Sequence, residues 1–119
     1  MRHTVSLKKN SQFRFVYNKG KSVANRLLVM IVLRTESGQN RLGISVSKKV
    51  GKAVVRNRVR RLIRESYRLS EGCVSAGFDI VVIARAGAKS AAFADIDGAV
   101  RHLLKKQTLW LPNAAGPLL

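Results

Sequence analysis

The chain has 119 residues and a formal charge of +17, from 23 Lys and Arg against six Asp and Glu, with a pI of about 11.5. That length fits one domain, and 46% hydrophobic residues suffice for a single core. The charge points to an acidic partner, whether nucleic acid, an anionic membrane or an acidic protein, and the single cysteine, Cys73, excludes an internal disulfide.

Residues 1–9 are basic and aperiodic and read as a flexible arm. Asn10 or Ser11 is placed to cap a short helix that ends at Gly20. This helix carries Phe13, Val16 and Tyr17 on one side, with Arg14 and Lys19 flanking them and Phe15 pointing elsewhere. Residues 22–34 read as a strand rich in Val, Ile and Leu, and residues 35–40 as a turn. In residues 41–47, Leu42, Ile44 and Val46 alternate with Gly43, Ser45 and Ser47. These two strands are expected to form an antiparallel hairpin, with the small, polar face of the second leaving room for something to lie against it. No apolar signal segment follows the N-terminal charges, and the longest apolar run, residues 27–33, is too short to span a bilayer. The expectation is a soluble, cytoplasmic protein.

Residues 48–52 form a basic loop with Gly51 as a flexible point. The helix that follows, from about residue 54 or 57 to 68, sorts by face. Val55, Val59, Leu62, Ile63, Ser66 and Tyr67 make one stripe. Arg56, Asn57, Arg60, Arg61, Arg64 and Arg68 lie opposite, and Arg58 sits at the edge. A merely solvated face mixes signs, with acids placed one turn from bases; here Glu65 stands alone. Crowded guanidiniums repel one another unless a polyanion offsets the cost, and their planar forks suit phosphate. A nucleic-acid surface is the better reading.

Residues 70–77 read as a linker, and residues 78–84 as an apolar strand covered on both faces. After a loop at 85–89, Ser90 is a candidate cap for a helix over residues 91–108. Asp95 and Asp97 near its start and Lys105 and Lys106 near its end suit the helix dipole. Trp110 anchors the helix end, and residues 111–119 read as a loose tail after a single domain at 1–110. The order α-β-β-α-β-α is that of a two-layer α+β sandwich, a small mixed sheet with helices packed on it.

The chemistry of cutting is missing. Hydrolysis at phosphorus commonly needs carboxylates around Mg²⁺ or a histidine pair. Asp95 and Asp97 point about 200° apart on a helix, and the remaining acids are scattered. His3 and His102 lie at opposite ends with no zinc-ligand spacing, and Gly51-Lys52 lacks the rest of a phosphate-binding loop. No catalytic or metal-ligating residue is expected, and the chain reads as a binder. Phe13 and Tyr17 beside basic residues suit either of two roles: plain core packing, or stacking of single-stranded bases.

Arg56-Asn57-Arg58 followed by Arg60, Arg61 and Arg64 resembles the RNR signature of the bacterial ribonuclease P protein component. The surrounding motifs occur in that family's order: Phe13 on a basic helix, residues 22–26 (SVANR), residues 41–49 (RLGISVSKK) and the late strand at 79–85. The resemblance spans residues 7–104. It implies a ribosomal-protein-like α+β fold with a left-handed crossover. It implies the protein subunit of a ribonucleoprotein that removes the 5′ leader of precursor tRNA, with the RNA subunit performing hydrolysis with Mg²⁺. The implied partners are that RNA, at 1:1, and precursor tRNA, with no membrane and no obligate protein partner. Carried over by position, Lys48, Lys49, Lys52, Arg56, Asn57, Arg58, Arg60, Arg61 and Arg64 would contact the catalytic RNA. Phe13, Arg14, Tyr17, Ile31 and Ser45 would line a cleft for the leader. The family often has an aromatic on the first strand where this chain has Met30-Ile31, so stacking would weaken there or move to Phe15. A structural ribosomal protein, a protein-only nuclease and a cationic membrane-surface protein are the competing readings.

Overall fold

The computed structural model describes residues 3–111. Five strands, β1 (Thr4–Ser6), β2 (Lys21–Ala24), β3 (Leu28–Arg34), β4 (Asn40–Ser45) and β5 (Phe78–Ala84), form one mixed sheet in the order β1-β4-β5-β3-β2. Three α-helices pack on it: α1 (Asn10–Lys19), α2 (Ala53–Ser70) and α3 (Phe93–Lys106). The α+β class and the mixed sheet agree with the sequence. Among the described residues no helix is long and apolar enough to cross a membrane.

The expected β3–β4 hairpin does not form. β5 lies between them, antiparallel to β3 and parallel to β4. The reason is burial. Ile80, Val81 and Val82 are all at most 1% exposed, and a strand apolar on both faces belongs at the centre of a sheet, covered from both sides. The link from β4 to its parallel partner β5 is therefore the crossover through α2. The expected strand at 22–34 is two strands, β2 and β3, which pair antiparallel. Asn25 makes the turn between them: its Oδ1 accepts the N–H groups of Leu27 and Leu28 at 3.2 and 2.9 Å.

The arm is also corrected. Residues 4–6 pair parallel with β4, Leu7 is buried, and the Thr4 hydroxyl meets the Tyr67 hydroxyl at 3.0 Å. Met1 and Arg2, and residues 112–119 of the expected tail, lie outside the described residues. Trp110 does anchor the end of α3, through a bridge to Val74. The caps differ as well. Gln12 Oε1 accepts the N–H groups of Lys8 and Lys9 ahead of α1. Asp95 Oδ2 accepts that of Ala92 ahead of α3, so none of Asn10, Ser11 and Ser90 acts as the cap.

The two sheet faces are unequal. One carries the main core, where Leu28, Met30, Leu42 and Ile80 meet Val59 and Ile63 of α2 and Ile96 and Leu103 of α3. The other carries α1, which buries only Val16, in a small cluster with Leu7, Ile31 and Val81. At Gly20, closing α1, an added Cβ would stand 2.7 Å from Ile31 Cγ2. Close approach of helix and sheet thus calls for the glycine there. α1 cannot cover its whole face, and the uncovered part is where the groove forms.

Candidate nucleic-acid interface

A groove of about 450 Å³ runs between α1 and the outer part of β4, lined by Phe13, Arg14, Tyr17, Ser45, Val46 and Arg60. A narrower recess of about 100 Å³ continues from it, lined by Ser6, Phe13, Leu42, Ile44, Arg60 and Arg64. The register explains the opening. β1 covers β4 only from Asn40 to Leu42, so the strand beyond has no outer neighbour and its edge is bare. Four of the five residues expected at a cleft meet here. Ile31 does not. It is 7% exposed and lies beneath α1 against Val16 and Val81, so the position that the resemblance assigns to the cleft is covered by the helix. Phe15 is 57% exposed and does not line the groove.

Of the two roles left open by the sequence, Phe13 has the packing one and is placed for the other. It packs against the small cluster and also lines the groove. Gly43 makes this possible, because a Cβ there would stand 2.6 Å from Phe13 Cζ. Tyr17 is 41% exposed. An aromatic pair on one wall and guanidiniums on the other can stack bases and hold phosphates.

The basic helix divides more finely than its sequence suggests. Arg60 and Arg64 turn toward the groove and recess, and Asn57 Oδ1 accepts from Arg60 Nη1 at 2.9 Å, fixing the side chain nearest the groove. Arg56 Nε donates to the Gly51 carbonyl at 3.2 Å and ties the loop to the helix. Gly51 has φ +153, a backbone state that favours glycine. Arg58 faces the other way. Its Nη2 donates to the Ala91 carbonyl at 2.7 Å and its Nη1 to that of Lys89 at 3.5 Å. It therefore clamps the segment before α3 to α2.

Of the arginines on this face, only Arg68 is paired with a carboxylate among the described residues, Glu65 of its own helix. Among the described residues Lys48, Lys49, Lys52, Arg60, Arg61 and Arg64 have no carboxylate partner. Three of the acids form ion pairs, none of them with these six cations. Asp79 holds Arg41 bidentately at 2.7 and 2.6 Å, which raises the Arg41 pKa. Asp97 pairs Arg101. Glu65 takes Arg68, and that hydrogen bond holds the Glu65 carboxyl below its ordinary range. Among the described residues no group of three or more His, Cys, Asp or Glu could hold a metal ion. Sequence reasoning missed Tyr67 as a polar hub. Its hydroxyl meets Thr4 and Asn40, and burial pushes its pKa up.

Comparisons with known proteins point one way. A family model described as Ribonuclease P matches residues 1–108. The ribonuclease P protein component of Clostridioides difficile (strain 630) is 55% identical over 104 residues, covering 87% of this chain and 91% of that protein. That of Alkaliphilus metalliredigens (strain QYMF) is 48% identical over 109 residues, covering 92% and 98%. Among solved structures, the Staphylococcus aureus RNase P protein superposes with a TM-score of 0.82 at 42% identity, covering 88% of this chain and 96% of that one. The Thermotoga maritima RNase P protein gives 0.78 at 33% identity, covering 85% and 96%.

Proposed function

This chain belongs to the ribonuclease P protein family, the protein component of a ribonucleoprotein endoribonuclease that acts in tRNA processing, and from that premise we propose how its surfaces divide the work. The loop and the outward face of α2, with Lys48, Lys49, Lys52, Arg60, Arg61 and Arg64, dock the RNA subunit, one protein per RNA. The groove beside α1 takes the single-stranded 5′ leader of precursor tRNA. Phe13 and Tyr17 stack its bases, and Arg14 and Arg60 meet its phosphates. Arg56 and Asn57 shape this surface by fixing the loop and Arg60, and Arg58 by holding its flank.

The observation that carries the reading is the groove itself. It joins exposed aromatic surface to unneutralised guanidiniums along a bare strand edge. A structural ribosomal protein shares the charge but has no need of such a groove. Hydrolysis belongs, in this proposal, to the RNA. The donor set of the described residues does not fit a resident metal, so Mg²⁺ sits on RNA phosphates, and the protein contributes positive charge that eases their repulsion. The test is reconstitution. Purified protein alone should leave precursor tRNA intact. Adding it to a bacterial ribonuclease P RNA at low magnesium should restore removal of the leader. Cleavage by the protein alone would overturn the division.

A further inference from the structure

Gly98 lies within α3, where a glycine is less stable than an alanine because it loses more backbone freedom on folding. Packing does not call for it, since beyond the helix's own neighbouring backbone nothing lies within 4 Å of where its Cβ would stand. What it borders is a depression of about 240 Å³, walled by Asn25, Arg26 and Leu27 of the β2–β3 turn and by Asp95, Ala99 and His102 of α3. Asp95, Gly98, Ala99 and His102 share one face of the helix by their spacing, and Lys106 follows one turn on.

The polar groups here are fixed but incompletely used. Asn25 Nδ2 donates to the Ala99 carbonyl and to His102 Nδ1, both at 3.1 Å. With Nδ1 accepting, the neutral ring carries its proton on Nε2, which has no partner among the described residues. Asp95 Oδ2 accepts from Ala92, and its Oδ1 has none. Arg26 is exposed and, among the described residues, makes neither a hydrogen bond nor an ion pair. Arg85 stands at the same turn, donating to the Asn25 carbonyl at 2.8 Å.

We propose that this depression is a second RNA-binding site, which takes one unstacked nucleotide of the RNA subunit, its base over Gly98 and Ala99 and its phosphate on Arg26. The site rests on the reading of this protein as an RNA-binding subunit. Asp95 disfavours a bare anion and suits a ligand that also brings N–H donors, as nucleobases do. The depression lies on the α3 side of the sheet, toward β2, whereas the groove lies beside α1 at β4. A leader held in the groove occupies the other edge, so the occupant is assigned to the RNA subunit.

The experiment measures affinity of the full-length protein for the ribonuclease P RNA without precursor tRNA. Gly98→Leu, which fills the depression, and Arg26→Ala should each weaken binding about tenfold, the scale of one stacked base. Arg26→Ala should melt near the parent, and Gly98→Leu at or above it. Gly98→Ala should bind as the parent does and melt higher. The affinity of each reconstituted holoenzyme for leader-bearing against leaderless tRNA should keep the parental ratio. Parental affinity in both variants overturns the proposal, as does a loss seen only with leader-bearing substrate. If Gly98→Leu does not fold, Arg26→Ala and His102→Ala, both at exposed positions, decide it. Arg60→Ala with Arg61→Ala is run alongside. If that pair loses affinity and Gly98→Leu does not, this site falls and the proposed function stands. If neither loses affinity, both fall.

Discussion

The two faces of the sheet solve opposite problems with the same strands. On one, α2 and α3 lay Val59, Ile63, Ile96 and Leu103 against β3, β4 and β5, and none of these four is exposed by more than a trace. On the other, α1 buries Val16 and leaves Tyr17 and Phe15 in solvent. Stability is concentrated where two helices cover the sheet, and this allows the opposite face to remain unfinished. An open groove is tolerable only because the fold does not depend on closing it. α2 belongs to both regimes: its apolar stripe is core, while Arg60 and Arg64 on its other flank reach the groove and recess.

The sharpest way to break this contrast is Ile63→Ala. The side chain is fully buried, so its truncation should cost about 2–5 kcal/mol, measured by urea unfolding. RNA affinity of the protein that remains folded should be unchanged. A small loss of stability would mean that α2 is held by something other than its stripe. Next in size is Arg58→Ala. A charged hydrogen bond to a carbonyl contributes about 1.5–3 kcal/mol, and the Ala91 contact is part-buried. Unfolding should become easier by about that amount, while the salt dependence of RNA binding keeps its slope. A flattened slope with parental stability would return Arg58 to the RNA-contacting face.

Arg58 also shows where sequence reading stops. The period of α2 placed it at the edge between stripe and cations, and no pattern within one helix says which neighbour lies beyond that edge. The same limit explains β5. Its unbroken apolar run showed that both faces are covered, but strand order is a long-range property, and the short turn at 35–40 made the β3–β4 hairpin the natural local choice. Three residues of β1 are too few for a periodic signal, so the arm read as loose although Thr4 and Leu7 are buried. What survives from residue types and faces is the apolar stripe of α2 and the alternation of β4; the grouping of Phe13, Arg14, Tyr17 and Ser45 around one groove follows the family resemblance. Ile31, which the resemblance puts in the cleft, lies instead under α1 against Val16 and Val81, because the helix sits directly on that part of β3.

On the open face, Phe13→Ala tests whether a residue that is both packing and lining carries binding. Loss of stacking should weaken leader-bearing precursor tRNA by about 1–3 kcal/mol, measured as affinity for the reconstituted holoenzyme. Affinity for mature tRNA should hold. Equal loss for both would place Phe13 in the fold alone. Tyr17→Ala sharpens the result, because its ring is more exposed and should give a leader effect with less change in melting temperature.

The smallest effect is expected from a single outward cation, and it separates electrostatics from architecture most cleanly. Arg61 is exposed and, among the described residues, has no partner, so Arg61→Ala removes charge without breaking a bond within the protein. Removing one cation from a phosphate should lower the slope of log K against log salt by roughly 0.7–0.9, about fivefold in affinity near physiological salt. Melting temperature should stay at the parental value, in contrast to Arg58→Ala. Two arginines three residues apart would then have exchanged phenotypes, one moving stability at constant slope and the other slope at constant stability. The cause would be which carbonyls, if any, each guanidinium can reach. Should Arg61→Ala leave the slope untouched, the outward face of α2 is not where the polyanion lies, and the groove must hold RNA without its help.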